Sequence, residues 1–283
     1  MNEIKCDKAS RKHIIIMVLG ITTLVLLMLV SIAGAVQSTN VWFHKGSELM
    51  SSEKYNEAIK AYDKAIEINP QDSSGWYNKG LALAKLGKFD EAVKAYEKAI
   101  KINPQDSSAW YKKGNILSRL GKYDEAIEAY EKAIEINPQN SNAWNNKGVT
   151  LAKLGKLDEA IKAYDKAIEI NPRDSETWDS KGVALGNLGK YDEAMKTYDK
   201  AIEINPRDSE AWYDKAVTLN KLNKSDEAIK AYDKVIEINP KNPDAWYNKG
   251  LALAKLRKFD EAIEAFMKAT QINPQIKNLA QKK

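Results

Sequence analysis

Apolar positions in this chain fall at helical spacing in two short bursts, and the two bursts then repeat. In Ser73–Asp106, SSGWYNKGLALAKLGKFDEAVKAYEKAIKINPQD, the first burst is Trp76, Leu83 and Leu86. The second is Ala92, Val93, Tyr96, Ala99 and Ile100. Gly87 separates them, where the end of a helix calls for a residue that tolerates positive φ. Asp90 is positioned to cap the second helix. Asn103-Pro104 stops it, because the residue before a proline avoids the helical region. The pattern predicts a helix, a tight turn, a second helix and a turn into the next unit.

The unit recurs every 34 residues. Prolines stand at Pro70, Pro104, Pro138, Pro172, Pro206, Pro240 and Pro274, and tryptophans at Trp42, Trp76, Trp110, Trp144, Trp178, Trp212 and Trp246. Two markers locked to one period define a repeat array, in which each unit buries its apolar face against its neighbours. The expected units are 39–72, 73–106, 107–140, 141–174, 175–208, 209–242 and 243–276. A basic segment (1–13) and an apolar run (14–36) precede them, and a short tail (277–283) follows.

The motif of Trp, Gly, Leu or aromatic, Ala, aromatic, Ala and Pro resembles the tetratricopeptide repeat family. It reads Trp76, Gly80, Leu83, Ala92, Tyr96, Ala99 and Pro104 in one unit. In another it reads Trp144, Gly148, Leu151, Ala160, Tyr164, Ala167 and Pro172. The resemblance implies an all-α fold, a right-handed α-solenoid of seven helix-turn-helix repeats. It also implies that the motif residues are scaffold, with the small ones allowing close helix approach. The function implied is recognition of a protein or peptide in a concave groove lined by the first helix of each repeat.

On that architecture the groove positions follow each Trp. The first set is Phe43, Tyr77, Tyr111, Asn145, Asp179, Tyr213 and Tyr247. The second is His44, Asn78, Lys112, Asn146, Ser180, Asp214 and Asn248. Late repeats place Glu176, Asp179, Glu210, Asp214 and Asp244 where early ones have neutral or basic residues, so the C-terminal half of the groove is expected to favour a basic segment. The lysine and asparagine set by which the family's heat-shock chaperone binders grip a terminal carboxylate is incomplete in every window, which excludes that role.

Ile14 to Val36 runs without a charge. A helix of that length reaches roughly 34 Å, enough to cross a bilayer core. Lys5, Lys8, Arg11 and Lys12 before it favour a cytoplasmic N-terminus with the repeats outside the cytoplasm. Ala33-Gly34-Ala35 resembles a signal-peptidase site, but the apolar run is longer than a usual signal core, which favours an uncleaved single-pass anchor. A cleaved signal and cytoplasmic repeats remain the alternatives.

The other bulk features mostly exclude. Net charge is +5 on 44 basic and 39 acidic residues, well mixed, with no basic stripe for nucleic acid. Cys6 is the single cysteine, so an intrachain disulfide and a cysteine metal site are both ruled out. His13 and His44 lack a nucleophile at meaningful spacing, and the Asp-Glu dyads recur at helix starts, where carboxylates suit the dipole. No enzyme, cofactor or metal is expected. The expected role is a membrane-anchored interaction scaffold; the rival is a non-catalytic subunit of a membrane enzyme or transport complex.

Three departures from regularity complete the reading. Repeat six carries Ala216 for Gly, Asn223 at its turn, Ser225 for an aromatic and Val235 for Ala, and is expected to be locally weak. A lysine ladder (Lys45, Lys79, Lys113, Lys147, Lys181, Lys215 and Lys249) reads as an anion strip or, with the surrounding carboxylates, as a compensated row. The tail after Ile276 is short, so either Ile263, Phe266 and Met267 are partly uncovered and open to another copy or a partner, or a short tail helix with Ile276, Leu279 and Ala280 covers them.

Overall fold

The computed structural model describes residues 39–276, together with Met17, Ile21, Leu24 and Val25. The apolar run 14–36 and the tail 277–283 otherwise lie outside the described residues. Among those described, no helix is long and apolar enough to cross a membrane.

The described chain is helical throughout, without strands. Helix α1 covers 39–51. The helices α2 (Tyr55–Ile68), α3 (Ser73–Lys85), α4 (Phe89–Ile102), α5 (Ser107–Arg119), α6 (Tyr123–Ile136), α7 (Ser141–Lys153) and α8 (Leu157–Ile170) follow. The series continues through α9 (Ser175–Asn187), α10 (Tyr191–Ile204), α11 (Ser209–Lys221), α12 (Ser225–Ile238), α13 (Pro243–Lys255) and α14 (Phe259–Ile272) to a 3₁₀ turn, Pro274–Ile276. The chain divides into two compact units, Met1–Ile116 and Leu117–Lys283. Within each, helices pack consecutively as stacked hairpins, the arrangement of an α-solenoid.

Local chemistry sets the helix limits. Five first helices start on a polar side chain that accepts from their opening N–H groups: Asp72 from Ser74, Asp106 from Ser108 and Ala109, Asn140 from Ala143, Asp208 from Glu210 and Ala211, and Asn242 from Ala245. At α9 Asp174 accepts from the Thr177 hydroxyl instead, at 2.6 Å. The second helices differ. Lysine (Lys88 in α4) takes the cap position without a side-chain bond, and Asp90 lies inside the first turn. The expected cap at Asp90 is therefore corrected: its carboxylate meets the positive helix end from within the first turn. Second helices end at the asparagine before proline, and its side chain accepts the N–H two residues on, as Asn103 does from Gln105 at 3.2 Å.

The core of each hairpin is a tyrosine set on a glycine. Tyr96 and Tyr164 are 1% and 2% exposed. A Cβ added to Gly80 or Gly148 would come within 2.7 Å of the facing ring, so only glycine lets the first helix sit this close to the second. Repeat six puts Ala216 at this place, yet Ala216, Tyr232 and Val235 are all buried in one cluster. Asn220 adds a bond from Nδ2 to the Tyr232 hydroxyl at 3.3 Å. The inter-helix turns take positive φ at Gly87, Gly121, Gly155 and Gly189, and also at Glu53, Asn223 and Arg257.

Successive hairpins are stapled on the tryptophan side. Each indole N–H donates to the carbonyl of the proline six residues earlier, at 3.0–3.3 Å from Trp76 to Trp246. Over each ring lies the ammonium three residues on, which also pairs with an acid sixteen residues back. Lys79 meets Asp63 at 2.6 Å, Lys147 meets Glu131 at 2.8 Å and Lys249 meets Asp233 at 2.6 Å. From Lys79 to Lys249 the lysine ladder is thus a compensated row that links one hairpin to the next.

Helix α14 bears the exposed residues Phe259, Ile263 and Met267, at 61%, 57% and 67% exposure. Phe266, expected to be uncovered with them, instead packs its ring against Tyr247 and Gly250. Ile276 is buried against α14.

Candidate functional site

The residue after each Trp and the one after that lie on first helices and are half-buried or buried, except His44, which is exposed. In the first unit Tyr77 packs its ring at 5.9 Å from Tyr96, and burial raises its phenol pKa. Asn78 Nδ2 turns back to its own helix, donating to the Ser74 carbonyl at 2.8 Å. The Lys112 ammonium lies 5.4 Å from the centre of the Tyr111 ring. These four residues are largely occupied within the unit.

The second unit is different. Asn248 Nδ2 donates to the Tyr213 hydroxyl at 2.8 Å, joining α13 to α11. That bond reveals a rule of register: the residue one after Trp on one first helix meets the residue two after Trp on the next. Tyr247 follows the other half of the pattern, its ring 5.4 Å from that of Phe266 in its own hairpin.

Applied one step earlier, the same rule places Asp179 of α9 against Asp214 of α11, two carboxyls where the next step has a hydroxyl and an amide. Burial, then the charges of Asp214, Asp208, Glu210 and Glu176, push the Asp179 carboxyl up to about 8. Burial, then Glu210 and Asp208, bring Asp214 to about 6, with Lys221 pulling the other way. The two charges also act on the Tyr198 phenol of α10, raised mainly by burial. Lys221 does not fill the gap, since its ammonium lies 5.8 Å from the Tyr191 ring centre. Neither Asp179 nor Asp214 makes an ion pair among the described residues.

One step earlier again, Asn145 of α7 is 6% exposed and its Oδ1 has no hydrogen-bond partner. The neighbouring Asn146 carbonyl accepts from the Thr150 hydroxyl at 2.8 Å. The structure therefore gathers the late candidates, Asn145, Asp179, Asp214, Tyr213 and Asn248, on one row of first helices in the second unit. Sequence reading missed Asn220, whose Oδ1 is also buried without a partner; a polar residue where Gly186 and Ala254 stand in neighbouring repeats was the available signal.

The clefts of about 570 and 500 Å³ beside Trp178 and Trp144 are on the stapled side. They repeat the same fittings, with their ladder lysines already paired, and follow from the stacking itself. Among the described residues no group of three or more His, Cys, Asp or Glu side chains is disposed to hold a metal ion.

Tetratricopeptide-repeat family models match residues 73–106, 111–175, 176–208, 197–230 and 243–276, and a TPR repeat model matches 46–87 and 218–257. The chain belongs to the tetratricopeptide repeat family. Among solved structures it is similar to YrrB, described as a TPR protein with an unusual peptide-binding site. Identity is 29%, with 68% of this chain and 98% of that one covered at a TM-score of 0.58. A MamA protein is 26% identical, covering 60% of this chain and 93% of its own at 0.57. A tetratricopeptide repeat protein from Parabacteroides merdae ATCC 43184, 20% identical, shares the fold over 84% of this chain and 94% of its own at 0.67. No curated protein matches the chain. As a TPR protein with TPR neighbours, it is a scaffold for protein interaction in its general type.

Proposed function

We propose that this tetratricopeptide repeat protein is a membrane-held scaffold whose second unit receives a basic segment of a protein partner. The observation that carries the reading is the facing pair Asp179 and Asp214. Two carboxyls stand where the next step of the same row closes on itself through Tyr213 and Asn248. A partner cation supplies what the row lacks, and first helices packed on the tyrosines Tyr198 and Tyr232 present the carboxyls without an ordering cost. The similarity to YrrB, a protein described as having a peptide-binding site, supports a peptide as the ligand class. The anchor is proposed on the uncharged run 14–36 and the basic residues before it, with the repeats outside the cytoplasm.

Photo-crosslinking from the full chain in membranes tests this. A photoreactive residue at Tyr247 or Asn146 is expected to capture a partner through a lysine- or arginine-rich stretch. The same residue at Lys162, beside a stapled-side cleft, is expected to capture none. Equal capture from both faces, or capture through acidic stretches, refutes the groove. Release of the chain by alkaline carbonate refutes the anchor.

A further inference from the structure

Two independent features meet on α7, α9 and α11. The first is the carboxyl pair, Asp179 against Asp214. The second concerns hydrogen bonding. The buried side-chain atoms without a partner among the described residues are Asn145 Oδ1, Asp179 Oδ1 and Asn220 Oδ1. All three are acceptors, one on each of three successive first helices. Asn145, at 6% exposure, is shut away from water, holds on α7 the position Asp179 holds on α9, and belongs to a helix that touches α9.

A buried acceptor without a donor is destabilising, and native structures seldom keep several together without a use. What this row lacks is N–H groups. Lysine would bring three donors on a strongly hydrated point charge. Arginine brings five in a planar fork, is more weakly hydrated and so enters a desolvated site more readily, and can bridge two carboxylates.

We propose that the second unit holds an arginine pocket: the guanidinium of a partner's arginine lies between Asp179 and Asp214. This rests on the reading of the row as a peptide groove, and narrows it from a basic stretch to one inserted side chain. Binding requires both carboxylates ionised, so capture near neutral pH expels the proton that Asp179 holds. Tyr198, Glu176, Asp208, Glu210 and Lys221 complete the titratable surroundings of the pair.

The test uses the full chain in detergent micelles and three labelled, end-blocked nonapeptides of glycine and serine with a central arginine, lysine or citrulline. The arginine peptide is expected to bind at least tenfold more tightly than the lysine peptide, and citrulline, which lacks the charge, not to bind. Affinity should rise roughly tenfold from pH 7 to pH 9 as Asp179 loses its proton. The binding enthalpy at pH 7 should vary with the buffer's heat of ionisation. Asp179→Asn and Asp214→Asn, both near-isosteric, should each weaken arginine binding at least tenfold, and Asp179→Asn should abolish the rise between pH 7 and pH 9. Equal binding of arginine and lysine, or arginine binding unchanged in Asp179→Asn, overturns the pocket. A longer arginine-rich peptide separates the levels: binding alike to wild type and Asp179→Asn removes the pocket and leaves the groove standing, whereas no binding to either removes both.

Discussion

Asn248 reaches across from α13 to Tyr213 on α11, Nδ2 to hydroxyl at 2.8 Å, and so shows how consecutive first helices meet in the second unit. The same meeting one step earlier brings Asp179 to Asp214. A bond that closes one step and a repulsion that leaves the next open arise from a two-residue difference on an otherwise repeated frame.

The burial of Asp179, with the acids around it, should be visible as a pH dependence of stability. The native state keeps the Asp179 proton up to about pH 8, while the unfolded chain releases it near 4. This stabilising contribution is full below about pH 4, declines as pH rises and is lost by the time pH passes through about 8. Asp179→Asn should flatten the decline between pH 5 and pH 8.5 and raise stability at the upper end by a few kcal/mol, on the order of 2–4. Urea melts at several pH values check it; a slope unchanged by the substitution would contradict the assignment.

Tyr213→Phe removes the acceptor for Asn248 and leaves a half-buried amide short of a partner. The expected cost is about 1 kcal/mol, and the double change with Asn248→Leu should recover part of it. A thermodynamic cycle on the four proteins measures the coupling.

The turn residues with positive φ offer a gain. Arg257 adopts φ +62, where other turns use glycine, so Arg257→Gly should stabilise by up to about 1 kcal/mol. Asn223→Gly should gain less, because asparagine tolerates this region better. Amide exchange in the flanking helices reads each effect locally, which suits an array whose units need not unfold together. Exchange in α11 and α12 faster than in the helices of repeats five and seven would bear out the weakness expected of repeat six; uniform protection would refute it.

On the stapled side, charge and packing separate. Lys79→Met keeps the stem over Trp76 but loses the pair with Asp63, a half-exposed partner, and should cost no more than about 1 kcal/mol. Trp76→Ala removes the ring and its bond to the Pro70 carbonyl, and should cost roughly 3–5 kcal/mol. Comparable losses for the two would show that the ion pair, not the indole, holds the hairpins together.

The 34-residue period, the two helices within it, the glycine turns and the stops at Asn-Pro could all be read from the sequence, because each depends on a few adjacent residues and their backbone preferences. The acidity of the late row was equally legible from Glu176, Asp179, Glu210 and Asp214. Tertiary structure alone decided what those residues do. It showed the ladder lysines from Lys79 to Lys249 neutralised by acids sixteen residues away, Asn145 buried with an empty acceptor, and Phe266 turned inward. It also singled out Asp179 and Asp214 as the facing pair. The reason is physical: helical periodicity is local, whereas desolvation and charge coupling depend on which side chains the stacking of separate hairpins brings face to face.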